Sequence, residues 1–204
     1  MPPKIQYTKG DLLQAAFRLT RAQGLSAVNA RAVARELGCS TQPIFRAFHS
    51  MEDIRREMLR MAADVYQAYL LRGNDLAPKP YLGSGMAYIL FAREERELFR
   101  LLFMRDRLSE GDADPAQDQT LEYVLGLVMQ STGLDRGRAL AFHRHLWVFT
   151  HGLAAMVATR YLKLEDAEVM NLLRDQYRAT RLMFGLPPVQ DAFDEAEGRT
   201  LRQN

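Results

Sequence analysis

The segment at residues 40–49 carries the side chains best suited to reading a nucleic acid. Glutamine can form paired hydrogen bonds with an adenine edge, threonine can bond a base edge or contact a thymine methyl, and arginine can bind guanine or a phosphate. Gln42 and Arg46 are four residues apart and so share one face of a helix. If Ile44 and Phe48 face the core, the opposite side of this helix shows Thr41, Gln42, Pro43, Phe45, Arg46 and Ala47.

Two histidines and the single tryptophan recur at intervals of four, at His143, Trp147 and His151, and therefore share a second helix face. This is also the spacing of a two-histidine metal clamp. No carboxylate lies at ligand spacing on that face, and two histidines without a third ligand make a poor site. We therefore predict no metal and no cofactor, and interpret the three side chains as lining a core or a ligand pocket.

The sequence has no Ser-His-Asp set, phosphate loop, Glu-x-x-His motif or paired carboxylates at a useful spacing on a predicted helix face. We therefore predict that the chain is not an enzyme. A single cysteine, Cys39, excludes an internal disulfide framework. It occupies an apolar turn position, which favours a small buried hydrophobe, while a redox sensor is the alternative.

Apolar residues recur with the helical period along nearly the whole chain, and no window alternates strictly enough to predict a strand. We predict an all-α protein of about nine helices, with a short third helix capped by Ser40. The other helices are expected at residues 9–23, 30–37, 51–72, 81–93, 95–106, 116–131, 136–162 and 166–184.

The turn Gly38-Cys39-Ser40 separates the second helix from the short third one, which is the order of a helix-turn-helix. In that motif the first helix crosses the DNA backbone and the second enters the major groove. Positive charge on Lys9 and Arg31 would then lie against phosphates. The full set of candidate DNA contacts is Lys9, Arg31, Ser40, Thr41, Gln42, Pro43, Phe45, Arg46, Ala47 and His49.

Charge is distributed unevenly, although the net charge is only +2. Residues 1–60 hold ten Lys and Arg against five Asp and Glu, whereas the remainder holds 17 against 20. A basic patch on one small domain is the electrostatic footprint of a polyanion partner. The chain has no apolar stretch long enough to span a membrane and no export signal at Met1–Gly10, so we expect a cytoplasmic protein without a membrane partner.

Residues 8–54 resemble the DNA-binding domain of TetR-type transcriptional regulators. The resemblance is carried by Leu12-Leu13-x-Ala15-Ala16, Gly24, Val33-Ala34-x-x-Leu37-Gly38-Cys39-Ser40, Ile44-Phe45-Arg46-x-Phe48 and Ser50-Met51-Glu52-Asp53-Ile54. It implies a homodimeric, ligand-responsive regulator, most often a repressor, that binds palindromic double-stranded operator DNA. Phe45 and Met51 depart from the family, which usually has a phosphate-contacting tyrosine and lysine at these positions.

Farther along, Trp147-x-x-x-His151-Gly152 resembles a subgroup whose ligand domain carries the same Trp-x-x-x-His-Gly triplet. We expect a helix-turn-helix domain at residues 1–52, a helical ligand-binding and dimerisation domain at 53–190, and a disordered tail at 191–204, where the sequence is polar and acidic without periodicity.

Two further sets of residues complete the prediction. An apolar or aromatic effector with one or two polar groups is expected to contact Phe91, Phe99, Phe103, Met104, Tyr123, Leu127, His143, Trp147 and His151. The resemblance favours dimerisation through the last two helices, by Gly152, Ala155, Thr159 and the exposed apolar side chains Val169, Leu173, Tyr177 and Phe184. A helical carrier or sensor of hydrophobic molecules, without DNA binding, is the alternative.

Overall fold

The computed structural model describes residues 7–106 and 115–188, with side chains in the second range from residue 119. Within these ranges the chain has nine α-helices and no strand, which confirms the predicted all-α fold. The helices are α1 Lys9–Gln23, α2 Ala30–Leu37, α3 Gln42–Ala47, α4 Met51–Arg72, α5 Pro80–Glu94, α6 Arg96–Phe103, α7 Pro115–Thr132, α8 Arg136–Ala158 and α9 Asp166–Met183. The tail predicted at 191–204 lies outside the described residues.

Side chains cap the first turns of the helices that precede and follow the turn motif. Thr8 and Asp11 form a capping box at α1, and Ser50 and Asp53 form another at α4. The Asn29 side chain accepts a hydrogen bond from the backbone N–H of the third residue of α2, at 3.0 Å. These caps satisfy backbone donors that a helix leaves unpaired, so they determine where the helices begin.

Three predicted boundaries are wrong, one of which is the end of α6 at Phe103 and not at residue 106. The N-cap of α3 is Thr41 rather than Ser40, and no side chain caps this helix. Helix α8 ends at Ala158, not near residue 162, because Arg160 adopts a left-handed conformation with φ of 60°. The Thr159 hydroxyl donates to the carbonyl of Ala155 at 2.7 Å, which satisfies one of the last acceptors of the helix.

Helix α5 is the central element of the C-terminal part. Nearly every residue from Tyr81 to Ala92 is buried, and the helix packs against α4, α6, α7, α8 and α9. A helix that is apolar around its whole circumference has no solvent face and must lie inside a bundle. The buried residues of the described chain form one continuous core, and α4 runs through it across the predicted domain boundary at residue 52.

The end of α4 and the start of α5 are held together by two glycines. The backbones of Gly73 and Gly83 approach so closely that a Cβ atom on either residue would overlap the carbonyl of the other. Only glycine permits this approach, since every other residue carries a Cβ. The C-terminal end of α4 is therefore fixed against the first turns of α5.

Candidate nucleic-acid interface and internal cavity

Helices α2 and α3 form a tight helix-turn-helix. Gly38 ends α2 in the left-handed conformation, with φ of 65° and ψ of 33°, and the N–H of Cys39 donates to the carbonyl of Ala34 at 2.9 Å. This is the glycine-terminated helix end that reverses the chain within a few residues. Cys39 is half-buried against the core, so its thiol packs as a small apolar group.

Helix α3 has one buried side and one exposed side. Ile44 is 1 % exposed and Phe48 is 6 % exposed, as the sequence predicted, whereas Gln42, Phe45 and Arg46 point to solvent. Among the other candidates, Ser40 and His49 are exposed, and Thr41, Pro43 and Ala47 are half-buried on the same helix and its flanks. The candidate base-reading side chains therefore lie on an accessible surface.

Basic side chains border this surface. Lys9 begins α1, and its ammonium lies 5.3 Å from the centre of the Phe48 ring; Arg31 is exposed at the start of α2. A groove between α1, the end of α3 and α4 is also lined by His49 and by Arg56 and Arg60, whose guanidinium groups pair with Asp53 and Glu57 in the same groove. Positive groups in this arrangement can bind the phosphates on either side of a major groove.

The two departures from the family pattern are both exposed on this surface. The Phe45 side chain is 68 % exposed and Met51 is 38 % exposed at the first residue of α4. Neither side chain can donate a hydrogen bond to a phosphate. Both can contact the apolar methyl and sugar groups of DNA.

A cavity that is partly open to solvent lies between α4, α5, α7, α8 and α9. Its volume is about 60 Å³, enough for a few waters. Tyr66 and Leu70 of α4 contribute to its wall, together with Tyr88, Trp147 and Thr150. None of the side chains that line it is a carboxylate, lysine or arginine, so the cavity is apolar and aromatic with a few neutral polar groups.

Two tyrosine–histidine pairs join α5 to α8. The Tyr81 hydroxyl lies 3.0 Å from Nδ1 of His143, and the Tyr88 hydroxyl lies 2.9 Å from Nδ1 of His151. Burial lowers the pKa of His143 to about 4 and also lowers the pKa of His151, so both rings are neutral at pH 7. Burial raises the pKa of both tyrosines.

The donor in each pair depends on the tautomer of the histidine, because a tyrosine oxygen can donate or accept and a neutral imidazole protonates only one of its two nitrogens. In the tautomer whose Nδ1 accepts from the hydroxyl, the proton of the imidazole resides on Nε2. His143 lines the cavity, so this tautomer would offer its Nε2–H as a donor to a ligand there.

The predicted ligand contacts divide into several groups. His143 and Trp147 line the cavity, but Phe91 and Phe99 do not; they are fully buried and fill the core with Phe103 and Tyr66. His151 stacks between Trp147 and Phe99, with ring centres 5.1 and 5.8 Å away. The three phenylalanines do not line this cavity, because their rings pack against one another and against Tyr66. That they contact an effector stays a prediction.

The remaining three predicted ligand contacts lie outside the cavity. Met104 is 46 % exposed after α6, and the Tyr123 hydroxyl donates to the Asn74 side chain at 3.3 Å. Leu127 lines a separate groove near the ends of α7 and α9. Tyr66, Tyr81 and Tyr88 also line the cavity and were not predicted from the sequence, although the seven-residue spacing of the last two places them on one face of α5.

The predicted dimerisation residues on α9 face the interior of their own chain and not the solvent. Val169, Leu173 and Tyr177 are at most 4 % exposed and pack into the core of their own chain, so the prediction that they are exposed is wrong. Phe184 is half-buried against Phe142. The spacing of apolar residues did not identify the exposed face of α9, because this helix has apolar residues on two faces.

The apolar residues exposed on α8 and α9 are different ones. Val148 is 61 % exposed and Leu182 is 67 % exposed, with Met156, Leu172 and Met183 also accessible. On α8, the predicted small residues Gly152 and Ala155 are half-buried and Thr159 is exposed, at intervals that place them on the face of Val148. A Cβ built at Gly152 meets nothing within 4 Å, so this face is open to the approach of another backbone.

Two further observations concern metal binding and membranes. In the part that the structure describes, no three His, Cys, Asp or Glu side chains come together as a metal site. Within the same ranges, none of the helices combines the length and the apolar character that crossing a bilayer demands. The fold and site together define a helix-turn-helix DNA-binding protein with a helical C-terminal part that encloses a cavity.

Comparison with known families identifies this class more closely. Residues 12–58 match the model for bacterial regulatory proteins of the tetR family, and residues 82–180 match that for the tetracyclin repressor-like C-terminal domain. The chain therefore belongs to the TetR family of transcriptional regulators. Members of this family are transcription factors, which confirms the prediction that the chain is not an enzyme.

Solved structures share the fold at low sequence identity. A TetR-like transcriptional regulator from Rhodococcus sp. RHA1 has a TM-score of 0.64 and 16 % identity, over 91 % of this chain and 99 % of that one. A putative TetR-family regulator from Mesorhizobium loti MAFF303099 has a TM-score of 0.55 and 19 % identity, over 86 % and 95 %. The ketosteroid regulator KstR2 of Mycobacterium tuberculosis has a TM-score of 0.50 and 17 % identity, over 91 % and 98 %. No curated protein sequence matches the chain.

Proposed function

We propose that this TetR-family regulator is a homodimeric repressor that binds palindromic operator DNA and is released by a small, uncharged, apolar or aromatic effector. The observation that carries the proposal is the continuity of α4, which begins beside α3 and contributes Tyr66 and Leu70 to the cavity wall. One rigid element thus contacts both functional regions. The DNA that such a protein regulates is in the cytoplasm, where we expect it to act.

The exposed face of α3 supports the DNA-binding half of the proposal. Gln42 and Arg46 lie one turn apart and can each reach a base edge, with Thr41 at the start of the same helix. Lys9 and Arg31 supply affinity for phosphate without sequence information. We infer that these five side chains position α3 in a major groove.

The packing of α4 supports coupling between ligand and DNA. Its N-terminal half buries Ile54 and Met58, and this helix packs against α1 of the DNA-binding domain. Two reading helices must be about 34–36 Å apart, or a multiple of one DNA turn, to enter successive major grooves. A tenfold release needs an effector that prefers the non-binding state by about 1.4 kcal/mol, which is a modest coupling free energy.

The chemistry of the cavity supports an uncharged effector. A charged ligand would be buried without a counter-charge, because the lining side chains are neutral. With its proton on Nε2, His143 would donate to a carbonyl, ether or hydroxyl oxygen, while the tyrosine rings and Trp147 contact the apolar surface. A volume of about 60 Å³ is small for a ligand site, so binding must move side chains of the wall. Ligand binding in the cavity would therefore be coupled to a change in the conformation of its wall.

The open face of α8 and α9 supports a second copy of the chain as partner. Val148, Gly152 and Thr159 on α8 share one helix face, and the neighbouring α9 exposes Leu172 and Leu182. A Cβ atom at Gly152 would meet nothing in the protomer. Two copies related by a two-fold axis would bury this face as a four-helix bundle. The resemblance to the Trp-x-x-x-His-Gly subgroup stays a prediction. In the structure, the tryptophan and histidine of this triplet, Trp147 and His151, stack on each other.

Selection of bound sequences from random duplex DNA tests the proposal, because a palindromic consensus identifies partner and symmetry together. With the selected duplex, Gln42→Ala and Arg46→Ala should each weaken binding by about tenfold or more. Gln67→Ala, at an exposed position on α4 away from α3, is the matched control and should bind as the wild type does. The absence of any enriched duplex at low salt would overturn the proposal and favour the carrier.

A further inference from the structure

Two hydroxyl groups in the wall of the cavity have no hydrogen-bond partner. Tyr66 of α4 and Thr150 of α8 both line the cavity, and each residue is only 9 % exposed. Within the described ranges of the chain, neither hydroxyl donates or accepts a hydrogen bond. Buried polar groups in proteins are nearly always paired, because an unpaired one loses its bonds to water without replacing them.

Thr150 differs in this respect from other buried hydroxyl residues of the helices. Thr20, Ser84 and Thr180 each donate to the carbonyl of the residue three or four positions earlier, at 2.9, 2.7 and 2.8 Å. Thr150 makes no such bond to its own helix. Its oxygen is also not one of the fully covered unpaired atoms of the described residues, so it borders open space, and the space that this residue lines is the cavity.

The ring of Tyr66 is held in place by aromatic neighbours. Its centre lies 5.1 Å from the ring centres of both Phe91 and Phe103 and 5.8 Å from that of Tyr88. Rings packed in this way have little freedom to turn towards another partner. Burial raises the pKa of Tyr66, so its hydroxyl stays protonated at neutral pH and able to donate. The hydroxyl is therefore a fixed donor that lacks an acceptor.

The other hydroxyl side chains of the wall have partners within the protein. Tyr81 and Tyr88 pair with histidines, Ser84 donates to a backbone carbonyl, and the Tyr177 oxygen accepts from an arginine. The hydrogen-bonding capacity that the protomer leaves unused in the cavity is thus that of the two unpaired hydroxyls and of the histidine nitrogens. A polar atom of a ligand, or a water, placed in the cavity would satisfy the hydroxyls.

We infer that the cavity binds a neutral ligand through a carbonyl oxygen, which accepts hydrogen bonds from the hydroxyls of both Tyr66 and Thr150. A carbonyl fits this pair because it has two lone pairs and no hydrogen of its own to donate, so it satisfies two donors and adds none. An alcohol would bring a donor that needs a further acceptor. A carboxylate would bring a charge to a wall without lysine or arginine.

The same contact would give the ligand a direct hold on α4. This helix packs chiefly against α1, α5, α6 and α7, so a carbonyl shared by Tyr66 and Thr150 would add a polar link between α4 and α8. Tyr66 is also the cavity residue closest in sequence to the DNA-binding domain. That such a ligand releases DNA rests on the proposed function, whereas its binding does not.

Two pairs of probes of nearly equal shape test the inference on the full-length protein without DNA. Cyclohexanone and acetophenone carry the carbonyl, and methylenecyclohexane and α-methylstyrene have a CH2 group in place of the oxygen. Equilibrium dialysis and calorimetry, below the solubility limit of each probe, give the affinities. The measured quantity is the ratio of ketone affinity to hydrocarbon affinity, because the ratio isolates the oxygen from the apolar contacts.

Variants that delete a single hydroxyl assign the ratio to the two residues. Tyr66→Phe and Thr150→Val keep the shape of the side chain, and each should lower the ketone-to-hydrocarbon ratio about three- to tenfold. Tyr161→Phe, at a position that is 80 % exposed after α8, is the matched control and should change neither affinity. Since neither hydroxyl has a partner in the free protein, both cavity variants should unfold at a urea concentration no lower than that of the wild type.

Three results would overturn the inference. The first is an unchanged ratio in both variants, which would mean that water satisfies the hydroxyls; the second is the failure of both ketones to bind. The third is a lower urea midpoint in both variants with equal losses for ketone and hydrocarbon, which would assign the hydroxyls to the fold.

The outcome is separable from that of the proposed function. Ketone binding that depends on both hydroxyls but leaves operator affinity unchanged would support the inference and contradict release by this class of ligand. Operator release by an uncharged effector, combined with unchanged ratios in both variants, would support the regulator and overturn the inference.

Discussion

Arg21 in the last turn of α1 forms a bidentate ion pair with Glu95 at the junction of α5 and α6. Nε of Arg21 lies 2.6 Å from Oε2 of Glu95, and Nη2 contacts Oε1. The arginine side chain is 55 % exposed, but the glutamate is only 5 % exposed. Next to it along α5, Glu94 accepts a hydrogen bond from the Tyr69 hydroxyl of α4 at 2.6 Å. The α5–α6 junction therefore holds both α1 and α4.

Removal of the arginine should destabilise the protein measurably. We expect Arg21→Ala to lower the free energy of unfolding by about 1–3 kcal/mol, because it leaves a buried carboxylate without its cation. Arg18→Ala is the matched control: Arg18 also pairs with a glutamate, Glu36 at 3.0 Å, but both side chains are substantially exposed. The control should cost less than about 1 kcal/mol. Urea unfolding at pH 7 measures both, and equal losses would contradict the role of burial.

Lowering the pH should reduce the stability of the protein because of the buried His143. Its pKa of about 4 in the folded protein lies below the ordinary value of 6.5, so the unfolded chain binds more protons between these values. Stability is therefore intact above pH 6.5 and falls as the pH drops to 4, by about 3 kcal/mol in total from this residue. Unfolding of wild type and His143→Gln, measured from pH 7 to 4, isolates the contribution. Parallel stability curves for the two proteins would contradict it.

Met51, one of the two departures from the family pattern, should affect the salt dependence of DNA binding. Met51→Lys adds a cation at the start of α4, on the candidate DNA surface, and should steepen the slope of log affinity against log salt by about one. Leu71→Lys adds the same charge at an exposed position near the other end of α4 and should leave the slope unchanged. Fluorescence anisotropy with the selected operator gives both slopes. An unchanged slope for Met51→Lys would place this residue away from phosphate.

The exposed face of α8 and α9 gives a prediction about assembly. Leu182→Glu places a charge in the proposed dimer face and should yield a monomer at micromolar concentration, with weaker operator binding. Leu71→Glu is the control, since Leu71 is 61 % exposed and Leu182 is 67 % exposed. Light scattering distinguishes the two states. A monomeric wild type would contradict the dimer and the palindromic operator together.

Helical periodicity and turn chemistry predicted the helices of the helix-turn-helix region, apart from the N-cap of α3, which is Thr41 and not Ser40. Thr8, Asn29 and Gly38 mark the ends of helices by short-range hydrogen bonds and backbone conformation, which depend on neighbouring residues only. The choice of Ile44 and Phe48 as the buried side of α3 follows from their spacing. These features are local, so the sequence expresses them directly.

The cavity wall and the exposed side of α9 were predicted less well because they depend on contacts between distant helices. An aromatic residue such as Phe99 fills a core or lines a cavity according to how its neighbours pack, which its own spacing does not determine. Helix α9 has one apolar stripe through Leu173 and Tyr177 and another through Leu172 and Met183. Periodicity identifies both stripes but not which one packs into the core of the chain.

The close contact between Gly73 and Gly83 fixes the C-terminal end of α4, so a rigid rotation of this helix would pivot about that end. At a rise of 1.5 Å per residue, Tyr66 lies roughly 10 Å from this pivot point and Met51 roughly 33 Å from it. A rigid rotation that shifts Tyr66 by half an ångström would therefore move the DNA end of the helix about three times as far. Larger side chains at the two glycines would displace this contact, so the proposed coupling would depend on two residues that lie outside both the candidate DNA surface and the cavity lining.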